Sequence, residues 1–190
     1  EAENIGELLR ALRAEAPEAS VLVIDDASPD GTADVAEAVA EEVGKVTVLR
    51  REVKDGLGNA YRAGFARALA DGHDALVTMD ADLSHDPAVV PALLARLADG
   101  DDLVIGSRYV PGGSTPAWPF HRRTLSRYGN RYTGWVLGLA VRDITSGFRA
   151  YRASSLLAIE YATTRASGYA FMTELAARMA DHGARISEVP

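Results

Sequence analysis

A chain of 190 residues, 47% hydrophobic and 25% charged, is long enough to bury a full-sized core. It contains no cysteine, which excludes disulfide and thiolate chemistry and permits a reducing cytoplasm. No apolar run approaches the ~20 residues of a membrane span, and no secretory signal is visible.

The net charge of −7 is unevenly spread: residues 103–159 hold eight arginines and one acid, Asp143, giving +7 there and −14 elsewhere. Arginine concentrated in one segment suits phosphate recognition, because its planar fork matches phosphate oxygens. Nucleic acid is not expected as a partner, since the basic overall balance and interleaved aromatic repeats of its binders are missing.

Taken in order, Ile5, Leu8, Leu9 and Leu12 predict an amphipathic helix ending before Pro17. Val21–Asp25 is an unbroken apolar run of the kind buried on both faces of a sheet. A turn cluster, Asp26 to Gly31, leads to a helix with Val35, Val39 and Val43 on one side, and Val46–Leu49 reads as a short strand. A helix carrying Tyr61, Phe65, Ala68 and Leu69 precedes a strand at Ala75–Met79. A Pro-initiated helix with Val89, Val90, Leu93, Leu94 and Leu97 and a strand at Leu103–Gly106 follow.

This alternation predicts an α/β fold with a mainly parallel central sheet, in one domain over residues 1–190. Both ends read as cut, the first strand and a C-terminal segment being expected outside the chain. Residues 110–116 form a Gly- and Pro-rich loop. The basic stretch from Phe120 to Leu139 is predicted helical, with Tyr132, Trp135, Val136 and Leu139 on one face. Such a face suits either packing on the core or the surface of an anionic membrane. A last helix is expected over Ala170–Ala180 and a last strand over Arg185–Val189.

Three polar clusters, Asp25-Asp26, Asp80-Ala81-Asp82 and Ser107-Arg108, fall at the carboxyl ends of predicted strands, where open sheets of this type bind ligands. Asp80 and Asp82 alternate on an extended segment and can point the same way. Two carboxylates that close repel each other unless a cation lies between them, and hard oxygens suit Mg2+ or Mn2+. The competing reading is a pair of solvated acids capping the helix that starts near Pro87. Phosphate-loop, dinucleotide and Ser-elbow motifs are all missing, and the four histidines (His73, His85, His121, His182) are scattered.

Five segments occur in order: Val-Ile-Asp-Asp-Ala-Ser-Pro-Asp-Gly-Thr (23–32), Gly-Leu-Gly-Asn-Ala-Tyr (56–61), Met-Asp-Ala-Asp-Leu-Ser-His-Asp-Pro (79–87), Ile-Gly-Ser-Arg-Tyr-Val-Pro-Gly-Gly (105–113) and Thr-Ser-Gly-Phe-Arg-Ala-Tyr-Arg (145–152). Together they resemble the polyprenol-phosphate (dolichol-phosphate) mannosyltransferases of glycosyltransferase family 2. The resemblance implies a GT-A (Rossmann-like) nucleotide-sugar-binding fold. The implied activity is inverting transfer of mannose from GDP-mannose to a polyprenyl phosphate at the cytoplasmic face of a membrane.

It further implies that Glu1, Ile24, Asp26, Asp80, Ala81 and Asp82 contact the nucleotide sugar. The divalent metal would be held by Asp80, Asp82 and Ser84, the last where the family often has Gln. Arg108, Arg122 and Ser126 would bind the acceptor phosphate, and Asp82 and Arg108 would act in the reaction itself. Alternatives are another donor or acceptor, such as UDP-glucose, and a non-catalytic nucleotide-sugar-binding module.

Overall fold

The computed structural model describes residues 1–115 and 118–190. Its contacts divide the chain into two compact units, Glu1–His73 with Met79–Pro91, and Asp74–Thr78 with Ala92–Pro190.

The first unit runs α1 (Ala2–Glu15), β1 (Val21–Asp25), α2 (Thr32–Val43), β2 (Val46–Arg50) and α3 (Leu57–Ala70). The apolar stripe of α1 buries Ile5, Leu8 and Leu9 with Ala36 and Val39 of α2, and Val21, Val23, Val46 and Val48 pack against that cluster. β1 and β2 pair in parallel, from Val21 opposite Val46 to Asp25 opposite Arg50. The run expected to be buried on both faces is half-buried until Asp25. Its second face meets α3 at Gly64, where an added Cβ would lie 2.2 Å from Ile24 Cδ1. The missing side chain is what lets the helix approach the strand that closely.

The other elements are β3 (Ala75–Thr78), α4 (Val90–Ala98), β4 (Leu103–Gly106), α5 (Phe120–Leu137), β5 (Arg149–Arg152), α6 (Ala153–Ala158), α7 (Tyr169–Asp181) and β6 (Ile186–Val189). In the second unit four strands form one sheet in the order β3-β5-β4-β6. β5 runs antiparallel to both β3 and β4 while β6 runs parallel to β4, so three of the four strands share a direction. β4 is buried at every position. α7 buries Phe171, Met172, Leu175, Ala176 and Met179, one stripe at helical spacing.

Of the two placements open to the aromatic face of α5, packing on the core falls here. Tyr132, Trp135 and Val136 of α5 are exposed, Trp135 by 78%, so this face does not pack on the core. The helix turns small and polar groups inward instead, Asn130 and Gly134, and Leu139 is buried only beyond its end. The predicted loop holds no helix or strand over residues 110–115, and its last residue, Pro116, lies outside the described residues. Among the described residues no helix is long and apolar enough to cross a membrane.

Candidate active site

In the first unit acids follow β1, and the segment Met79–Pro91 brings in Asp80 and Asp82. Asp25 closes β1, where it is buried. Its Oδ2 accepts from the Ser28 N–H at 3.2 Å, and its buried Oδ1 has no hydrogen-bond partner among the described residues. A buried carboxylate oxygen left without a donor costs free energy, and a ligand N–H or O–H would satisfy it. Asp26, the neighbour expected to contact the nucleoside, is already in an ion pair with Arg51, which also holds Asp55 at 2.5 Å. Asp25, rather than Asp26, therefore presents the unsatisfied acceptor. The Asp-Asp doublet marked the place, but only the packing of β1 tells the two apart.

Ile24 sits under α3, and Glu1 precedes α1, with Asp30 accepting from the Ala2 N–H at 3.3 Å. Ala27 and Leu83, one in each acid-bearing loop, both adopt left-handed backbone (φ 56° and 61°). For side chains other than glycine this costs roughly 1 kcal/mol each, a burden that local structure must offset.

β3 ends at Thr78, so Asp80 and Asp82 lie in a bend beyond the strand and strand alternation does not orient them. Two local bonds do. The Ser84 N–H donates to Asp82 Oδ1 at 2.9 Å, and the Asp80 N–H donates to His85 Nδ1 at 3.0 Å. His85 must carry its proton on Nε2 to accept there, and that atom lies 3.9 Å from Asp80 Oδ2. His85 is thus a positioning residue, a role its isolation in the sequence concealed.

The helix-capping alternative goes to a different acid. Asp86 accepts from the Ala88 N–H at 2.9 Å and caps the Pro87–Val89 turn, which leaves Asp80 and Asp82 out of capping. Hydrogen bonding from Ser84 holds the Asp82 carboxyl below the usual carboxylate range, against the opposing effect of partial burial. Among the described residues no group of three or more His, Cys, Asp or Glu side chains is arranged to hold a metal. The exposed carboxylate pair fits an ion that takes one or two carboxylates and completes its shell with water and phosphate oxygens, as Mg2+ does.

The second unit gathers the cations. The Ser107 N–H donates to Val189 O at 2.7 Å, which fixes the chain just before Arg108. The Arg108 backbone N–H donates to Asp143 Oδ2 at 3.0 Å. Its side chain forks onto the same carboxylate, Nε to Oδ2 at 2.7 Å and Nη2 to Oδ1 at 2.6 Å, and reaches the Thr145 hydroxyl at 3.1 Å. Asp143 is fully buried, and its own N–H donates to Glu188 Oε1 at 3.0 Å.

Arg122 lies 4.1 Å and Arg108 5.0 Å from the centroid of the Trp118 ring. The Tyr109 hydroxyl meets Ser126 Oγ at 2.7 Å. The three residues expected at the acceptor phosphate are therefore brought together through Tyr109 and Trp118, neither of which the sequence reading singled out. Contact with one aromatic ring steadies both guanidinium groups.

Backbone approach explains much of the motif chemistry. A Cβ on Gly113 would lie 2.3 Å from Ser107 O and 2.8 Å from Arg108 C. Gly113→Ala is therefore expected to destabilise the protein by about 1–3 kcal/mol, read as a lower urea midpoint at unchanged slope. An unchanged midpoint would show that this loop does not press on Arg108. Arg149 of the Ser-Gly-Phe-Arg segment is buried and donates to the carbonyls of Ser146 (2.7 Å), Met172 (2.8 Å) and Ile144. It holds the turn that carries Asp143 and Thr145 and touches no exposed surface.

An α/β fold with acids following β1 and β3 is the architecture of a GT-A glycosyltransferase. The glycosyl transferase family 2 model matches residues 1–159, and the chain belongs to that family. Over 190 residues it is 50% identical to an undecaprenyl-phosphate mannosyltransferase from Micrococcus luteus, covering all of this chain and 78% of that protein. It is 42% identical to a polyprenol monophosphomannose synthase from Mycolicibacterium smegmatis, of which it covers 72%. Among solved structures it is similar to glucosyl-3-phosphoglycerate synthase from Mycobacterium tuberculosis in complex with Mn2+, UDP and phosphoglyceric acid. The TM-score there is 0.74 at 23% identity, over all of this chain and 64% of that one.

Proposed function

We propose that the protein moves mannose from GDP-mannose to the phosphate of a polyprenyl monophosphate, with inversion at the sugar carbon and with Mg2+ or Mn2+ bound. The names of its relatives support the sugar and the acceptor class. The observation that carries the reading is the cluster of Arg108, Arg122 and Ser126 around Tyr109 and Trp118. It is cationic and partly apolar, the chemistry of a lipid phosphate.

An acceptor oxygen bonds to the mannose anomeric carbon as the bond from that carbon to the diphosphate breaks, and the electron pair leaves with the diphosphate. A monoalkyl phosphate has its second pKa near 6, so the nucleophile is largely a dianion at neutral pH and needs no general base. Arg108, fixed by Asp143, and Arg122, on Trp118, hold that dianion and offset its repulsion from the donor. Asp80 and Asp82, with Ser84, would hold the divalent ion, which when bound takes up charge on the departing diphosphate. The buried Asp25 Oδ1 accepts a donor from the nucleoside, in preference to the paired Asp26. The protein works at the cytoplasmic face of a membrane, in peripheral contact with its anionic surface.

The test is radiolabelled GDP-mannose with polyprenyl phosphate and Mg2+ or Mn2+, followed by organic extraction. Metal-dependent label in the lipid phase, lost on Asp80→Ala, is the expected result. Label from UDP-glucose in place of GDP-mannose would change the donor. Nucleotide binding without transfer from any donor would mean a binding module.

A further inference from the structure

The second unit carries a cavity of about 510 Å3 between α5 and the turn at residues 139–142, lined by Tyr109, Arg127, Arg131, Arg142, Leu139 and Val141. Elsewhere arginines are spent on carboxylates: Arg10 on Glu42, Arg50 on Asp34 and Glu37, and Arg178 on Glu174. Arg127, Arg131 and Arg142 make no ion pair among the described residues. The nearby acids are committed, Asp143 to Arg108 and Glu188 to the N–H groups of Arg142 and Asp143. Three arginines without an ion pair among the described residues, lining one cavity with Leu139 and Val141, describe a receptor for an anion with a greasy neighbour.

The helix beside the cavity is built to meet such a ligand. At 100° per residue Phe120, Leu125, Tyr128, Tyr132, Trp135 and Val136 fall in an arc of roughly 160°. All six are exposed, Phe120 by 75% and Trp135 by 78%, opposite the buried Asn130 and Gly134. Arg127 lies just outside one edge of the arc, Arg131 just inside it and Arg122 beyond the other edge, and no acid occurs from residue 103 to residue 142. An aromatic face with arginines along its margins lies in the headgroup layer of a bilayer, where the rings bury and the cations reach phosphates.

We propose that the Arg127–Arg131–Arg142 cavity is a headgroup site for an anionic membrane phospholipid, filled when the aromatic face of α5 lies on the bilayer. It adjoins the acceptor cluster through Tyr109, which lines the cavity while its hydroxyl bonds to Ser126, but it draws on three other arginines. The proposal rests on the lipid-acceptor reading only for the presence of a bilayer nearby.

The experiment is co-sedimentation of the full-length protein with vesicles of phosphatidylcholine alone or mixed with phosphatidylglycerol, neither containing polyprenyl phosphate. Binding is expected only to the anionic vesicles. It should fall at least roughly tenfold in Arg127→Gln/Arg131→Gln/Arg142→Gln, and similarly in Tyr132→Ser/Trp135→Ser. Circular dichroism confirms that each variant is folded. The corresponding triple Arg→Lys variant keeps the charge but not the fork, and a loss of several-fold is expected; unchanged binding would overturn the pocket.

Equal binding to both vesicle types would overturn the proposal. So would self-association through α5 without vesicle binding, or calorimetric binding of inorganic phosphate in the cavity with no vesicle preference. Transfer to a short-chain, water-soluble acceptor by the wild type separates the two claims. Turnover without vesicle binding leaves the function and removes this inference, and vesicle binding without turnover does the reverse.

Discussion

Asp82→Ala is expected to lower turnover with GDP-mannose and a polyprenyl phosphate by about a thousandfold or more, since it removes one of the two carboxylates available to the divalent ion. Nucleotide binding measured by calorimetry should at the same time lose its metal dependence. Turnover within a few-fold of wild type would move the metal site away from this bend. The pH profile offers a second check. Hydrogen bonding from Ser84 depresses the Asp82 pKa, so its ionised form persists below the ordinary carboxylate range and is lost only as pH falls through that lowered value. The acid limb of the activity should therefore follow the acceptor's own second ionisation near pH 6. It should stay in place when Ser84 is replaced by alanine.

Asp143→Ala is expected to cost about 3 kcal/mol of stability, because it leaves the Arg108 fork and the Thr145 turn without the buried carboxylate that joins them. Chemical denaturation reads this directly. Asp143→Asn keeps the shape and loses the charge. It should remain folded and raise the acceptor KM about tenfold while the donor KM stays within twofold, because Arg108 loses its alignment and the donor acids do not. An unchanged acceptor KM in the folded Asn variant would mean that Arg108 binds nothing that depends on Asp143. A uniform loss for both substrates would indicate general loosening.

Elements with a long, regular apolar period were legible. α1 announces itself through Ile5, Leu8 and Leu9, and β4 through Leu103, Val104 and Ile105, because burial on one helical stripe or throughout a strand leaves a local pattern. β5 was not, because Asp143 to Arg149 reads as a polar turn leading into Ala150-Tyr151, and the strand begins at Arg149 itself. Its Arg149 is buried because the guanidinium is met by the carbonyls of Ile144 and Ser146 in the preceding turn and of Met172 in α7, the last 23 positions away and invisible to a local reading. α5 misled for the opposite reason: its period is helical, but its apolar face points outward.

The site divides the same way. Motif acids and arginines could be named from residue type and order. The groups that orient them could not: His85 works through a backbone N–H, Asp143 through a turn some 35 positions from Arg108, and Asp25 differs from Asp26 only in packing.

The strand order β3-β5-β4-β6 imposes a timetable on the nascent chain. β3 precedes the donor acids, yet its ladder partner β5 is made only after more than 70 further residues, Ala75 pairing with Arg152. At roughly 5–20 residues per second that interval is several seconds. During it the Ala-Leu-Val-Thr edge stands exposed on the ribosome, while β1 and β2, with Val21 opposite Val46, can already close. The arginine-rich segment that emerges meanwhile lacks any acid before Asp143, and its self-repulsion opposes collapse onto that edge until β5 arrives.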